Sequence, residues 1–154
     1  PGGAYWDDAL FRAAEKELTL GAPARAIAHL QQMLAEQERA VITGSYERPR
    51  YAQAQLEIGR IYRDVLHDRA RARLELRKVW SKHPTSTLVD DALFQEAQIA
   101  YGEGDATGAC APLSILVREQ PKSRYAACAH LLCAALGPTP SACHDYIKRE
   151  AALP

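Results

Sequence analysis

No apolar run in this chain approaches the roughly 20 residues that a membrane-spanning helix requires. Nor is there an excess of either charge. Nineteen Lys and Arg balance nineteen Asp and Glu, so the whole-chain field gives no drive toward nucleic acid or an anionic membrane, and any charged patch must be local. The opening residues Pro1-Gly2-Gly3 lack the charged and apolar regions of a signal peptide. The apolar deficit that keeps a chain disordered is also missing, because 47% of residues are hydrophobic and 25% charged. At 154 residues the chain is sized for one folded domain with a substantial core, and two separate domains would be cramped.

What is present is a repeat. Residues 7–37, beginning Asp7-Asp8-Ala9-Leu10-Phe11, align without a gap on residues 90–120, beginning Asp90-Asp91-Ala92-Leu93-Phe94, with about a dozen identities. Each copy carries two apolar stripes at helical spacing: Leu10, Phe11, Ala14 and Leu18, then Ala26, Ile27, Leu30, Met33 and Leu34. The second copy repeats them as Leu93, Phe94, Ala97 and Tyr101, then Ala109, Cys110, Leu113, Leu116 and Val117. Between the stripes stand Leu20-Gly21-Ala22-Pro23 and Glu103-Gly104-Asp105, where glycine takes the left-handed turn that closes one helix before the next opens. Each unit is predicted to be an antiparallel helical hairpin.

A related unit lies between the two copies. It runs from Tyr51 through Gly59 and Tyr62, then Ala72, Leu76 and Val79, to Pro84. Small residues let paired helices approach, large ones fill the space opposite, and proline closes the unit because it cannot donate within a continued helix. These residues resemble the tetratricopeptide pattern, and Ala109, Leu113, Leu116 and Pro121 keep the same intervals. A fourth, weaker unit is expected from Ser123–Leu136, the turn Gly137-Pro138-Thr139-Pro140 and a last helix over Ser141–Ala152; atypical terminal units cap repeat stacks. The expected fold is thus all-α, a right-handed α-solenoid of about four tetratricopeptide-like hairpins and eight helices. It forms one domain over 1–154, with hairpins near 5–40, 48–84, 86–121 and 122–153 and an irregular connection around Thr43-Gly44-Ser45-Tyr46-Glu47-Arg48-Pro49.

The joints carry a narrower resemblance. Pro84-Thr85-Ser86-Thr87-Leu88-Val89-Asp90-Asp91-Ala92-Leu93 and Pro121-Lys122-Ser123-Arg124-Tyr125-Ala126 resemble the joints of bacterial envelope repeat proteins, the Tol-Pal-associated periplasmic proteins and outer-membrane assembly lipoproteins. Ser86 and Ser123 are placed to cap the following helix. The resemblance implies a non-catalytic protein–protein scaffold in the periplasm or at the outer membrane, within an assembly, transport or motility complex. The family's lipidated cysteine and N-terminal coiled coil have no counterpart in this sequence. A cytosolic adaptor, or a docking segment of a larger enzyme, is the alternative.

All four cysteines, Cys110, Cys128, Cys133 and Cys143, fall in the last third, as expected of a disulfide-stapled cap in an oxidising compartment. The alternative is four small buried apolar residues in a reduced protein. Cys128 with Cys133 is a poor pair, since residues five apart on a helix face different sides. Cys133 is about level with both Cys143 and Cys110, and spacing does not decide between them. A zinc site drawing on Cys128, His130, Cys133, Cys143 and His144 lacks the usual close-spaced cysteine pair in a loop. Cys143-His144-Asp145 names a nucleophilic triad, yet consecutive helical residues point about 100° apart and cannot form a relay. Gly102-Glu103-Gly104-Asp105-Ala106-Thr107-Gly108 follows a helix rather than a strand and spaces its third glycine wrongly for a phosphate loop. The Asp7-Asp8 and Asp90-Asp91 pairs suit helix starts, where the macrodipole favours negative charge. No catalytic constellation converges, and no cofactor or metal is expected.

In tetratricopeptide solenoids the first helices line a concave groove that holds a peptide or helix. The resemblance places Arg12, Lys16, Gln53, Leu56, Arg60, Arg63, Gln95, Ile99 and Tyr125 on that face. Arg60 and Arg63, three apart, would share a side from which to grip a carboxylate. The Lys/Asn clamp by which chaperone adaptors hold a C-terminal carboxylate is excluded, for the chain has no Asn. The expected partner is another protein or peptide, or a second copy of the chain, with no nucleic acid and no membrane insertion of this segment.

Overall fold

A computed structural model describes residues 6–35, 49–139 and 141–151. Among them the chain is all-α: seven α-helices, one π-helical turn and two short 3-10 stretches, with no strand. The irregular connection expected over residues 43–48 lies outside the described residues, as do Pro140 and Ala152. The chain divides into two compact units, Pro1–Ser86 and Thr87–Pro154.

The first unit holds two hairpins. α1 (Trp6–Thr19) turns into α2 (Pro23–Ala35) through Gly21 at φ 71°, a conformation that costs glycine little. Pro23 then opens α2 at the first helical position, where its missing N–H is not needed. α3 (Pro49–Arg60) runs on as a π-helical turn, Ile61–Val65, before α4 (Arg69–Lys82). Asp68 caps α4 by accepting from the Arg71 backbone N–H at 2.9 Å. His67, at φ 53°, takes the left-handed position that glycine holds in the neighbouring hairpins.

Side-chain burial holds this unit together. Leu10, Phe11 and Ala14 pack with Ala26, Ile27, Leu30 and Met33, and the cluster continues through Tyr51, Ala54, Ile58 and Ile61. Each large apolar group contributes about 1.5–3 kcal/mol, well above any single turn or cap. α3 and α4 approach where Gly59 faces Leu76; a Cβ at Gly59 would sit 2.9 Å from both Cγ and Cδ2 of that leucine. The small residue in the pattern is there for closeness.

In the second unit α5 (Val89–Gly102) and α6 (Ala106–Glu119) form a hairpin on the same plan. Gly104 turns at φ 76°, and Asp105 caps α6 by accepting from Gly108 N–H at 2.8 Å. Leu93, Ala97, Ala109, Leu113 and Leu116 are buried at the expected positions. The residue before α5 is Leu88, which makes no side-chain cap, so the N-cap position itself is not the expected serine.

The terminal unit also differs in detail. Instead of one helix over residues 123–136, the chain makes 3-10 stretches at Ala126–Leu131 and Ala134–Leu136, and the last helix, α7 (Asp145–Ala151), starts later than predicted. Two disulfides account for this. Cys110 pairs with Cys133 at a Cα–Cα distance of 5.0 Å, and Cys128 pairs with Cys143 at 4.9 Å. The segment is thereby tied to α6 through one sulfur and to the approach to α7 through the other. Those tertiary ties override the helix preference of an alanine-rich run.

Candidate functional site

The two Asp-Asp pairs begin helices, as their charge predicts, and each also does something that sequence spacing alone did not reveal. In the first unit the Tyr51 hydroxyl donates to Asp7 at 3.1 Å, while the Arg50 guanidinium pairs with Asp8 at 2.6 Å and lies 5.4 Å from the Phe11 ring centre. In the second unit the Tyr125 hydroxyl and the Arg124 guanidinium both donate to Asp91 Oδ1 at 2.8 Å, and Arg124 also donates to the Tyr125 oxygen at 2.9 Å. The Ser123 hydroxyl donates to Asp90 Oδ2 at 2.7 Å and accepts from Tyr125 N–H at 3.1 Å. Tyr125 stacks on Phe94, with ring centres 4.5 Å apart. In each unit, therefore, an Arg-Tyr pair that opens one repeat reaches back to the Asp-Asp pair that opened the preceding hairpin, with Ser123 completing the second clasp at Asp90.

The clasp is electrostatically consistent. Burial, then the hydrogen bond to Asp91, raises the Tyr125 phenol above its ordinary value, so the hydroxyl stays a donor. Partial desolvation opposes the Arg124 charge, but Tyr125 and Asp91 outweigh it and hold the guanidinium above its usual range. The clue in the sequence was the Arg-Tyr dipeptide at residues 50–51 and 124–125, which recurs with the Asp-Asp pairs.

The expected groove residues differ in their access to solvent. Tyr125 is buried within the second clasp, and Leu56, Gln95 and Ile99 are buried too, so these four do not present a free face. Arg12, Lys16 and Gln53 are exposed. Asp8, Arg12 and Lys16 follow one another at four-residue spacing along α1, and Gln53 lies three beyond Arg50 on α3, so the Asp8–Arg50 bridge marks one end of a polar surface on the first unit. Arg60 and Arg63 are half-buried. Arg63 holds Asp64 through Nε at 2.7 Å and a terminal nitrogen at 2.9 Å, and Arg60 is 3.8 Å from Glu57. The π turn begins between them, at Ile61.

All four cysteine sulfurs are committed to disulfides, which leaves Cys143 no thiol to act as a nucleophile beside His144. Glu96 is fully buried on α5. Among the described residues no His, Cys, Asp and Glu side chains group as metal ligands, and no described helix is long and apolar enough to cross a membrane. An open cleft of about 570 Å³ lies beside the second clasp, lined in part by Val117, Lys122, Ala127 and His144.

No curated protein and no solved structure matches the chain. Residues 53–86 and 91–123 each match the tetratricopeptide repeat model, and the first match is one residue longer, in keeping with the π turn that lengthens its first helix.

Proposed function

We propose that this chain is a non-catalytic scaffold that binds a protein or peptide segment, in the oxidising compartment of a bacterial envelope. The observation that carries the reading is the pair of tetratricopeptide-type hairpins, a module whose stacked repeats serve as extended binding surfaces. The surface we assign to the partner is that of Arg12, Lys16 and Gln53, which the first unit leaves exposed beside the Asp8–Arg50 bridge. Polar, cationic side chains on two neighbouring first helices suit a partner that brings carboxylates or backbone carbonyls.

The two disulfides support the compartment, because such cross-links persist where thiols are not kept reduced. The joint motifs support the envelope setting through their resemblance to periplasmic and outer-membrane-associated repeat proteins. Self-association remains part of the proposal, through the same surface.

Capture from an envelope extract tests the reading. The wild-type chain should retain a defined partner that Lys16→Glu/Gln53→Glu loses, and equal retention by both would sink the assigned surface. The compartment is tested separately by alkylating the exported protein without reductant; four reactive thiols would remove its support.

A further inference from the structure

α4 is far more cationic than the other second helices. The helix carries six basic side chains, Arg69, Arg71, Arg73, Arg77, Lys78 and Lys82, against a single carboxylate, Glu75. The other second helices provide an internal comparison. α2 has only Arg25 among Lys and Arg, and α6 only Arg118, although both fill the same place in their hairpins. The role of second helix therefore does not require the cations.

The arrangement is directional. Ala72, Leu76 and Val79 are buried, and Glu75 is turned inward, where it accepts from Gln55 of α3 at 2.7 Å and from Lys78 at 2.7 Å. The opposite side is centred on Leu74, which is 57% exposed. Arg71, Arg77 and Lys78 stand three before, three after and four after it, so they surround it on the helix surface. Arg71 reaches Asp68 at 3.3 Å yet its side chain remains 65% exposed. An isolated leucine within a cationic ring is an apolar contact combined with a positive field.

We infer that this face of α4 is a docking surface for an acidic protein segment that places one apolar side chain on Leu74 and carboxylates on the surrounding Arg71, Arg77 and Lys78. Charge complementarity selects the occupant. Nucleic acid is disfavoured because leucine offers no stacking platform for a base, and a bilayer is disfavoured because a single leucine is not the broad apolar face an interfacial helix buries. The surface is separate from that of Arg12, Lys16 and Gln53, so either one stands if the other fails.

The test is fluorescence anisotropy on the full chain. The probe is a labelled synthetic peptide with leucine at its centre and glutamate at the flanking helical positions. It should bind, and its version with glutamine for glutamate should bind far less. Arg77→Glu should weaken binding about tenfold, and Leu74→Ser should do so comparably, as loss of one buried leucine predicts. Leu74→Ser changes no charge and alters a side chain that is 57% exposed, which keeps the result readable should Arg77→Glu fail to fold. Lys16→Glu, on the other surface, should leave the affinity unchanged. Equal affinity for the glutamine peptide, no loss in either α4 variant, a loss confined to Lys16→Glu, or tighter binding of a single-stranded oligonucleotide or of phosphatidylserine vesicles would each overturn the inference.

Discussion

Removing one oxygen from the second clasp measures what it is worth. In Tyr125→Phe the ring still stacks on Phe94, and the buried hydroxyl that donates to Asp91 at 2.8 Å is gone. Hydrogen bonds to charged groups contribute about 1.5–3 kcal/mol, and Asp91 keeps its Arg124 donor, so the loss falls at the lower end, about 1.5 kcal/mol. Asp91→Ala leaves the buried hydroxyl proton without its acceptor and Arg124 without its carboxylate, and should cost about 2–3 kcal/mol. Because both changes break the same contact, the double variant should be little worse than Asp91→Ala, leaving a coupling of about 1 kcal/mol or more. Hydrogen exchange of the α5 and α6 amides is the assay, since it reports the second unit alone and needs no two-state assumption for the whole chain. The pH dependence adds a signature. The raised Tyr125 phenol keeps its proton in the folded chain while the unfolded chain loses it near pH 10, so wild-type stability falls above about pH 10. The phenyl ring of the variant has no such proton, and its deficit relative to wild type should narrow there. Single and double variants that simply add, or a Tyr125→Phe chain within about 0.3 kcal/mol of wild type, would refute the clasp as an energetic unit.

Three further outcomes follow from particular contacts. Gly59→Ala adds a methyl 2.9 Å from a leucine that is itself fully buried, and the overpacking outweighs the gain in helix propensity for a net loss of about 1 kcal/mol; a higher melting temperature would contradict the close approach. His67→Gly relieves a left-handed residue in an exposed turn and should raise stability by about 1 kcal/mol in chemical denaturation, whereas a loss would mean that the imidazole does more than occupy the turn. Breaking either disulfide by Cys→Ser substitution of both partners should cost the terminal unit about 3 kcal/mol, given sequence separations of 15 and 23, and limited proteolysis should then cut between residues 123 and 145. Unchanged protection there would show that the cap stands without its cross-links.

Most of the hairpin architecture was legible because it rests on local chemistry. Gly21 and Gly104 mark turns that only a residue tolerant of positive φ fills cheaply, and Ala14, Gly59 and Ala97 mark places where a large side chain has no room. The cap was less legible, because two cross-links over residues 110–143 decide its shape and spacing left the partner of Cys133 open. The groove was least legible. Gln95 and Ile99 sit at helical positions that a generic repeat would expose, yet both are buried, and whether a position is covered depends on how elements distant in sequence pack. Arg63 has a local feature that spacing did not show: it lies in the π turn that starts at Ile61, and the adjacent Asp64 accepts from its guanidinium.

The Asp-Asp motif illustrates why residue type at a given spacing does not by itself assign chemistry. Paired carboxylates serve catalysis when a lone pair faces substrate and the environment tunes the proton. Here Asp90 accepts from the Asp91 backbone N–H through Oδ1 and from Ser123 through Oδ2, while Asp91 Oδ1 accepts from Tyr125 and Arg124 together. Apart from that backbone N–H, the donors come from the repeat that follows, so the pair serves as a fastening between hairpin and successor. The middle hairpin starts without an Asp pair and contributes the Arg50-Tyr51 half of the first clasp instead. The same device recurs within each unit, and the side chains left exposed beside the first clasp, Arg12, Lys16 and Gln53, inherit a fixed framework on which to present themselves.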